Sequence, residues 1–191
     1  PLQRFNGVGT FQHITAANSP TPYRDDLFGE QSARHLFISA PAYNVVRREL
    51  LQPSGISFTS SRPEGADGPE FLASSDAWFR PITLRTGPDG ALWIADFYRL
   101  VLEHPQWIPN DVEQRIDLRS GSDRGRLYRV YPDGTAPRLI PNLPNKTTAQ
   151  LVAALDSPSG WQRDTAQQLL VQRNDKSAAG LLGKLLQSSA N

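Results

Sequence analysis

The chain contains no cysteine and no methionine. Without a thiol, these 191 residues hold no disulfide framework, no thiolate metal site, no catalytic cysteine and no point of covalent haem attachment. An excess of charge of one sign is also lacking: 20 Lys and Arg face 19 Asp and Glu, for a net charge of +1. Nucleic-acid binding through counterion release needs a clustered basic excess, so that class of partner is set aside. Nor does any run approach the ~18 consecutive apolar residues of a membrane span, and no charged-then-apolar leader opens the chain. No direct membrane span is expected. The first residue is Pro1 rather than methionine, from which a fragment or a processed product of a longer protein is expected.

What is present suffices for a core. With 38% hydrophobic and 20% charged residues, the chain has the apolar material to fold and too little net charge for a disordered tail. Its length suits one large domain or two small ones. The composition changes near residue 140. Before it, Gly, Pro, Asp and aromatic residues punctuate short apolar runs; after it, apolar residues recur at helical spacing with almost no breakers. The expected division is 1–140, mainly β, and 141–191, α.

Three strands are predicted first: His35 to Ala40, Asn44 to Leu51, and, after the turn cluster Gln52-Pro53-Ser54-Gly55, Ile56 to Ser61. Val45, Val46, Leu50 and Leu51 also fit a helix, but turn chemistry on both sides leaves the run too short for a stable one. Trp78 to Arg85 and Ala91 to Asp96 flank Gly87-Pro88-Asp89-Gly90, a tight reversal in which Pro presets φ and Gly accepts a positive one. Gly125 to Tyr131 then runs into Pro132-Asp133-Gly134. Leu36-Phe37-Ile38-Ser39 lines up with Leu92-Trp93-Ile94-Ala95, and Leu127-Tyr128-Arg129-Val130 repeats the pattern more weakly. Strand units recurring at roughly 35 to 55 residues suggest blades of a β-propeller; an antiparallel sandwich is the alternative. Six blades at ~40 residues each need ~240 residues, so about two to three blades fit here and the remaining blades of the ring are expected upstream of Pro1.

From Lys146 onward helices are predicted. Thr147 to Gln150 and Ser159 to Gln162 each have capping-box spacing, and a third helix runs from about Lys176 to Gln187. Short paired helices of this kind are the unit of a HEAT-like α-solenoid, here only its beginning. A truncated end beyond Leu186 is expected from the apolar face on Leu181 to Leu186.

The densest group of polar and aromatic side chains lies between Ser74 and Pro109. Asp96, Tyr98, Arg99, Glu103 and His104 follow directly on a strand, where propeller loops line a site. His104 is the candidate general base, with Glu103 or Asp96 to orient it, and Arg80 or Arg99 can hold an anion. Each has a structural alternative. His104 stands before Pro105 as a loop residue; Asp96 can cap a turn through backbone N–H groups two residues on; Trp78, Phe79, Trp93 and Trp107 can be packing between blades. Arg80, between Phe79 and Pro81, must find water, a carboxylate or a ligand. Asp117 to Arg126 is an anion nest, an ion-pair network or a solvated loop entering the last strand, and Asp25 and Asp26 are adjacent carboxylates able to meet a cation, with no metal site expected. A nucleophile elbow, a phosphate-cradling Gly-rich loop and a zinc-spaced His pair are all missing.

Trp78-Phe79-Arg80-Pro81, Gly87-Pro88-Asp89-Gly90-Ala91-Leu92, Ala95-Asp96-Phe97-Tyr98, Glu103-His104-Pro105, Asp123 to Val130, and Ser159 to Gln167 with Leu169, Leu170, Gln172 and Arg173 resemble the membrane-bound dehydrogenases. In those exported proteins a six-bladed propeller of the glucose/sorbosone dehydrogenase type is followed by HEAT repeats and often a c-type haem domain. The resemblance runs from about Thr10 to Leu186. It implies a periplasmic or otherwise exported protein that oxidises a sugar or alcohol, using pyrroloquinoline quinone and calcium in the intact molecule and haem c on a downstream domain. Within these residues no cofactor and no turnover are expected: the catalytic His of the family would fall in the absent blades, and its Arg and His motifs do not superpose on Arg80 or His104. The competing expectation is a non-catalytic propeller and HEAT module that binds carbohydrate or protein.

Overall fold

The computed structural model describes residues 16–29, 31–63 and 68–188. These fall into two compact units. The first takes the described residues up to Pro22, together with Arg34–Arg85 and Trp93–Val130; the second takes Tyr23–Ala33, Thr86–Leu92 and the residues from Tyr131 onward. Among the described residues no helix is long and apolar enough to cross a membrane.

The first unit is built on two antiparallel sheets. One is an up-and-down run of β1 (Asn18–Pro22), β2 (His35–Ala40), β3 (Val45–Ser54) and β4 (Ser57–Ser61), with β5 (Leu72–Ala73) pairing β3. The three strands expected at 35–61 are therefore present in the expected order. In β2 the buried side chains His35, Phe37 and Ser39 alternate with the half-buried Leu36 and Ile38, the period of a strand with one face on a core. The ambiguous Val45–Leu51 run is strand, as expected, but continues through Pro53 to Ser54. Pro53 is accommodated because β2 reaches only as far as Leu50: past that point β3 pairs β4 alone, and a missing N–H on its other edge breaks no ladder bond. The reversal tightens to Gly55 and Ile56, with Gly55 at φ +60°. The end of this hairpin stands clear of the core, leaving Ile56, Phe58 and all of β4 exposed.

The second sheet has the order β6 (Pro81–Thr86), β7 (Leu92–Asp96), β8 (Arg126–Val130). The turn between β6 and β7 forms as the Gly-Pro-Asp-Gly string predicts: Gly90 lies at φ +86° and its N–H reaches the Gly87 carbonyl at 3.1 Å. The strand expected from Trp78 starts only at Pro81. Asp76 draws the chain into a turn first, its carboxylate accepting from the Trp78 N–H at 2.9 Å and its carbonyl from the Phe79 N–H at 3.0 Å. The two sheets are tied by the Thr21 hydroxyl, which donates to the Leu84 carbonyl at 3.0 Å, and by the Leu84 N–H, which donates to Ser19 Oγ at 2.8 Å. Phe37, Val46, Leu84 and Ile94 are fully buried.

The likeness between Leu36–Ser39 and Leu92–Ala95 does not survive as a structural register. Phe37 is buried whereas its aligned partner Trp93 is half-buried, and Leu36 and Leu92 are reversed in the same way. A slip of one residue puts a strand's side chains on the opposite face. The equivalence by burial is Phe37 with Ile94 and Ser39 with Asp96.

The second unit contains the helices expected toward the end of the chain: α2 (Thr148–Ala154), α3 (Gly160–Arg173) and α4 (Ala178–Ser188), numbered after a single turn, α1 (Asn110–Glu113), in the first unit. Thr147 and Gln150 form the predicted capping box, and Ser159 caps α3 through the Gln162 N–H. Asn174, at φ +48°, ends α3. Leu143, Leu151 and Ala166 make a small core with Leu155, Trp161, Leu169 and Leu170 against it. The cation met by Asp25 and Asp26 is Arg138, whose guanidinium bonds both carboxylates. Arg24 forms a two-bond pair with Asp164, at 2.5 and 3.0 Å.

Phe37→Ala removes a wholly buried ring packed 4.7 Å from Phe71. It is expected to cost about 3–5 kcal/mol in urea unfolding of the first unit. His35 carries a second test. Burial, with the Arg48 charge next, holds its pKa below the ordinary value, and its Nδ1 is buried with no hydrogen bond. The native ring therefore stays neutral where the unfolded chain takes up a proton, near ~6.5. Stability is full above that pH and falls as pH drops toward the depressed native value. The urea midpoint should decline from pH 7.5 to 5.5, and His35→Gln should flatten that decline.

Candidate functional site

All the residues singled out for chemistry lie in the first unit, and Asp96 is the centre of those that meet. As the last residue of β7 it follows Ile94 on the inward face, and its side chain is 0% exposed. A carboxylate so buried requires donors at its lone pairs. Its Oδ1 accepts from the Arg80 N–H at 2.7 Å and the Tyr98 N–H at 2.9 Å; its Oδ2 accepts from Arg126 Nε at 2.9 Å, with Arg126 Nη2 at 2.7 Å. The bond to Tyr98 is the two-residue turn cap that the sequence offered as the structural alternative. The others make it a junction between the chain entering β6, the loop after β7 and the start of β8.

Arg80 is 6% exposed, and its head is held by main-chain carbonyls. Nε donates to the Arg99 carbonyl, Nη1 to Pro41 and Nη2 to Leu100, each at 2.9 Å. The planar fork thus cross-links the β2–β3 turn to the segment after β7. Main-chain carbonyls were the partners the sequence reading did not weigh.

Tyr98 adopts φ +50°, a left-handed conformation that disfavours a side chain. Its N–H is fixed by Asp96, its ring lies 5.6 Å from Trp78, and the Arg126 guanidinium sits 4.0 Å above it. Gly121, itself at φ +89°, makes room for this: a Cβ there would collide with the Tyr98 carbonyl oxygen. Arg126 stays charged above its ordinary range; burial opposes the charge, and the hydrogen bond and field of Asp96 outweigh it. A second carboxylate, Asp76, lies 3.4 Å from Arg126 Nη2.

Further along the loop after β7, Glu103 Oε2 accepts from the Leu102 N–H at 3.1 Å, and the exposed His104 accepts at Nδ1 from the Gln106 N–H at 3.2 Å. Trp78 packs on Tyr98, whereas Trp107 is largely exposed rather than packed. The string Asp117–Arg124 is a run of turns in which Asp117 caps the Arg119 N–H. Arg126, at its end, forms the ion pairs that the sequence offered for this string as one alternative, though with Asp96 and Asp76 rather than within the string. The signal lay in strand order: β8 beside β7 brings the first residue of one to the last residue of the other.

Over this end of the sheet lies an open cavity of about 300 Å³. Ile82, Phe97 and Leu127 give it apolar walls; Arg99, Ser122 and Arg126 give it polar ones. Phe97 is 40% exposed, and the Arg99 guanidinium lies 4.3 Å from its ring centroid. Arg99 has a single long bond, Nη1 to the Tyr98 carbonyl at 3.3 Å.

These residues do not fit the quinone and calcium that the resemblance implies. A quinone with three carboxylates needs several cations free of other anions, and of the two arginines lining the cavity Arg126 is already paired with Asp96. Calcium needs carboxylate lone pairs, and those of Asp96 point at N–H donors. No group of three or more His, Asp or Glu converges among the described residues.

Removing the Asp96 carboxylate leaves two backbone N–H groups unpaired, so Asp96→Ala should cost about 3 kcal/mol in urea unfolding. Asp96→Asn keeps an acceptor for those N–H groups and forfeits chiefly the charge of a half-exposed arginine, about 1 kcal/mol. Equal losses in the two variants would show that the junction is not built on the backbone bonds.

Among protein families, the one described as Domain of unknown function (DUF7133) matches residues 1–134. No curated protein and no solved structure matches the chain.

Proposed function

Starting from a chain that belongs to the DUF7133 family, we propose that it is a non-catalytic binding module: propeller blades followed by HEAT-like helices, in an exported protein, with a carbohydrate site over the end of its second sheet. The observation that carries this reading is the contrast at Asp96. The groups suited to acid, base or anion chemistry are turned inward, Asp96 onto four donors and Arg80 onto three carbonyls, while Phe97 and Arg99 remain on an open cavity. A proton-transferring pair needs a carboxylate with a lone pair directed at its imidazole, and here both carboxylate candidates bond backbone or arginine instead.

Support for the blade reading is topological. Two consecutive up-and-down antiparallel sheets, of four strands plus a short fifth and of three, follow one another in the first unit, the strand order used within a blade. The ring would take its other blades from further segments of the same protein. Support for the HEAT reading is the packing of α2 on α3 through Leu151, Ala166 and Leu169, helices too short to stand alone. Support for a carbohydrate over a protein partner is the combination of an aromatic face with a fork-shaped donor in a cavity the size of one or two sugar rings, about 300 Å³.

Two measurements test this. Dye reduction by the intact protein with pyrroloquinoline quinone, calcium and a panel of sugars and alcohols should stay at background. Saturable binding of oligosaccharides, followed by NMR shifts, should centre on Phe97 and be lost in Phe97→Ala. Quinone-dependent reduction would restore the oxidising function implied by the resemblance, and no saccharide binding would remove the module reading.

A further inference from the structure

We infer that the cavity is selective for an acidic sugar, a pyranose bearing one carboxylate, held at Arg99. This rests on the binding-module reading and names its ligand class. The inference comes from what the two arginines lining the cavity already bond. Arg126 is paired with Asp96 and Asp76. Arg99 is the cation left over. Among the described residues it forms no ion pair, and its hydrogen bonding is limited to one Nη1 contact at 3.3 Å. Four of its five N–H donors are thus available, and a guanidinium presents them as a fork that fits a carboxylate in two parallel bonds.

Position and orientation are fixed by neighbours rather than by ligand. The Arg99 N–H is tied to the Trp78 carbonyl at 3.0 Å, and its guanidinium is stacked over Phe97 at 4.3 Å. A head held this way loses less freedom on binding than a lysine would. The walls on either side are of two kinds. Phe97, Ile82 and Leu127 supply the apolar surface against which the C–H face of a pyranose packs, and Ser122 and Arg126 supply polar atoms for ring hydroxyls. One leftover positive charge calls for one negative charge on the ligand. That separates an acidic sugar from a trianionic quinone, whose remaining carboxylates would be desolvated without partners, and from a neutral sugar, which leaves the charge of Arg99 unanswered.

Isothermal titration of the whole chain tests this with four ligands: methyl glucuronoside, methyl glucoside, trigalacturonate and its fully methyl-esterified form. The acidic member of each pair should bind at least about tenfold more tightly than its neutral counterpart, as expected for a charge-assisted two-bond contact. The preference should shrink with added salt. Arg99→Gln should abolish the preference, bringing the acidic member of each pair down to the affinity of its neutral counterpart, with thermal unfolding as in the parent; Arg99→Lys should keep part of the preference. A monosaccharide acid that binds as tightly as the trisaccharide places the ligand within one ring, whereas tighter trisaccharide binding extends it along an acidic polymer, and both support the carboxylate contact. Equal affinity for acidic and neutral partners would overturn the acidic-sugar assignment while leaving the binding module standing. Absence of binding by all four would remove both.

Discussion

A single buried carboxylate organises the β-rich unit. Asp96 terminates β7 with its side chain wholly out of solvent, and four donors from three separate stretches of chain close on it. An isolated charge in that position would be costly by several kcal/mol, so each donor is required by the others. The consequence is geometric. The entry to β6, the loop after β7 and the first residue of β8 cannot move independently, and the cavity above them inherits its shape from that junction. Arg80 extends the same logic outward, converting three carbonyls of irregular chain into ligands of one planar cation.

One strained residue belongs to this junction. Tyr98 in a left-handed conformation is unfavourable by roughly 1–2 kcal/mol, a cost borne because its N–H caps Asp96 and its ring is clamped between Trp78 and Arg126. Gly121 is tied to it sterically, since only a residue without Cβ lets the second loop pass the Tyr98 carbonyl. The direction of the chain just after Tyr98 then places Arg99 back against Phe97. In this way a strained residue sets the orientation of the side chain that follows it.

What the sequence disclosed and what it hid divide along physical lines. Local chemistry was legible: the Gly87–Gly90 reversal, the Thr147–Gln150 capping box and the alternation in His35–Ala40 each follow from interactions within a few residues. Edge strands were not. β1 carries two prolines and a bulge and exists because β2 offers it an edge; β5 is two residues long and borrows the start of β3. Of the candidate site, Asp96, Tyr98 and Arg99 were found by their place after a strand, but their partner Arg126 is 30 residues away and is defined by strand order alone. Glu103 and His104 shared the local signal, yet each accepts from a backbone N–H of its own loop, because adjacency in sequence says nothing of where a lone pair points. The string likeness between β2 and β7 failed for a related reason: residue identity was matched without the two-residue period that decides which face a side chain occupies.

The same distinction governs how function is read from such a site. Residue type alone would assemble an Asp, a Glu, a His and three Arg into an acid–base centre with an anion clamp. Hydrogen bonds change that count. A carboxylate with its oxygens on N–H donors is no longer a base, and a guanidinium enclosed by carbonyls is no longer a clamp, however suggestive their spacing. What counts toward chemistry is the capacity left after the fold has been satisfied. At this end of the second sheet that remainder is an aromatic face and one cation, a pair suited to recognising a ligand.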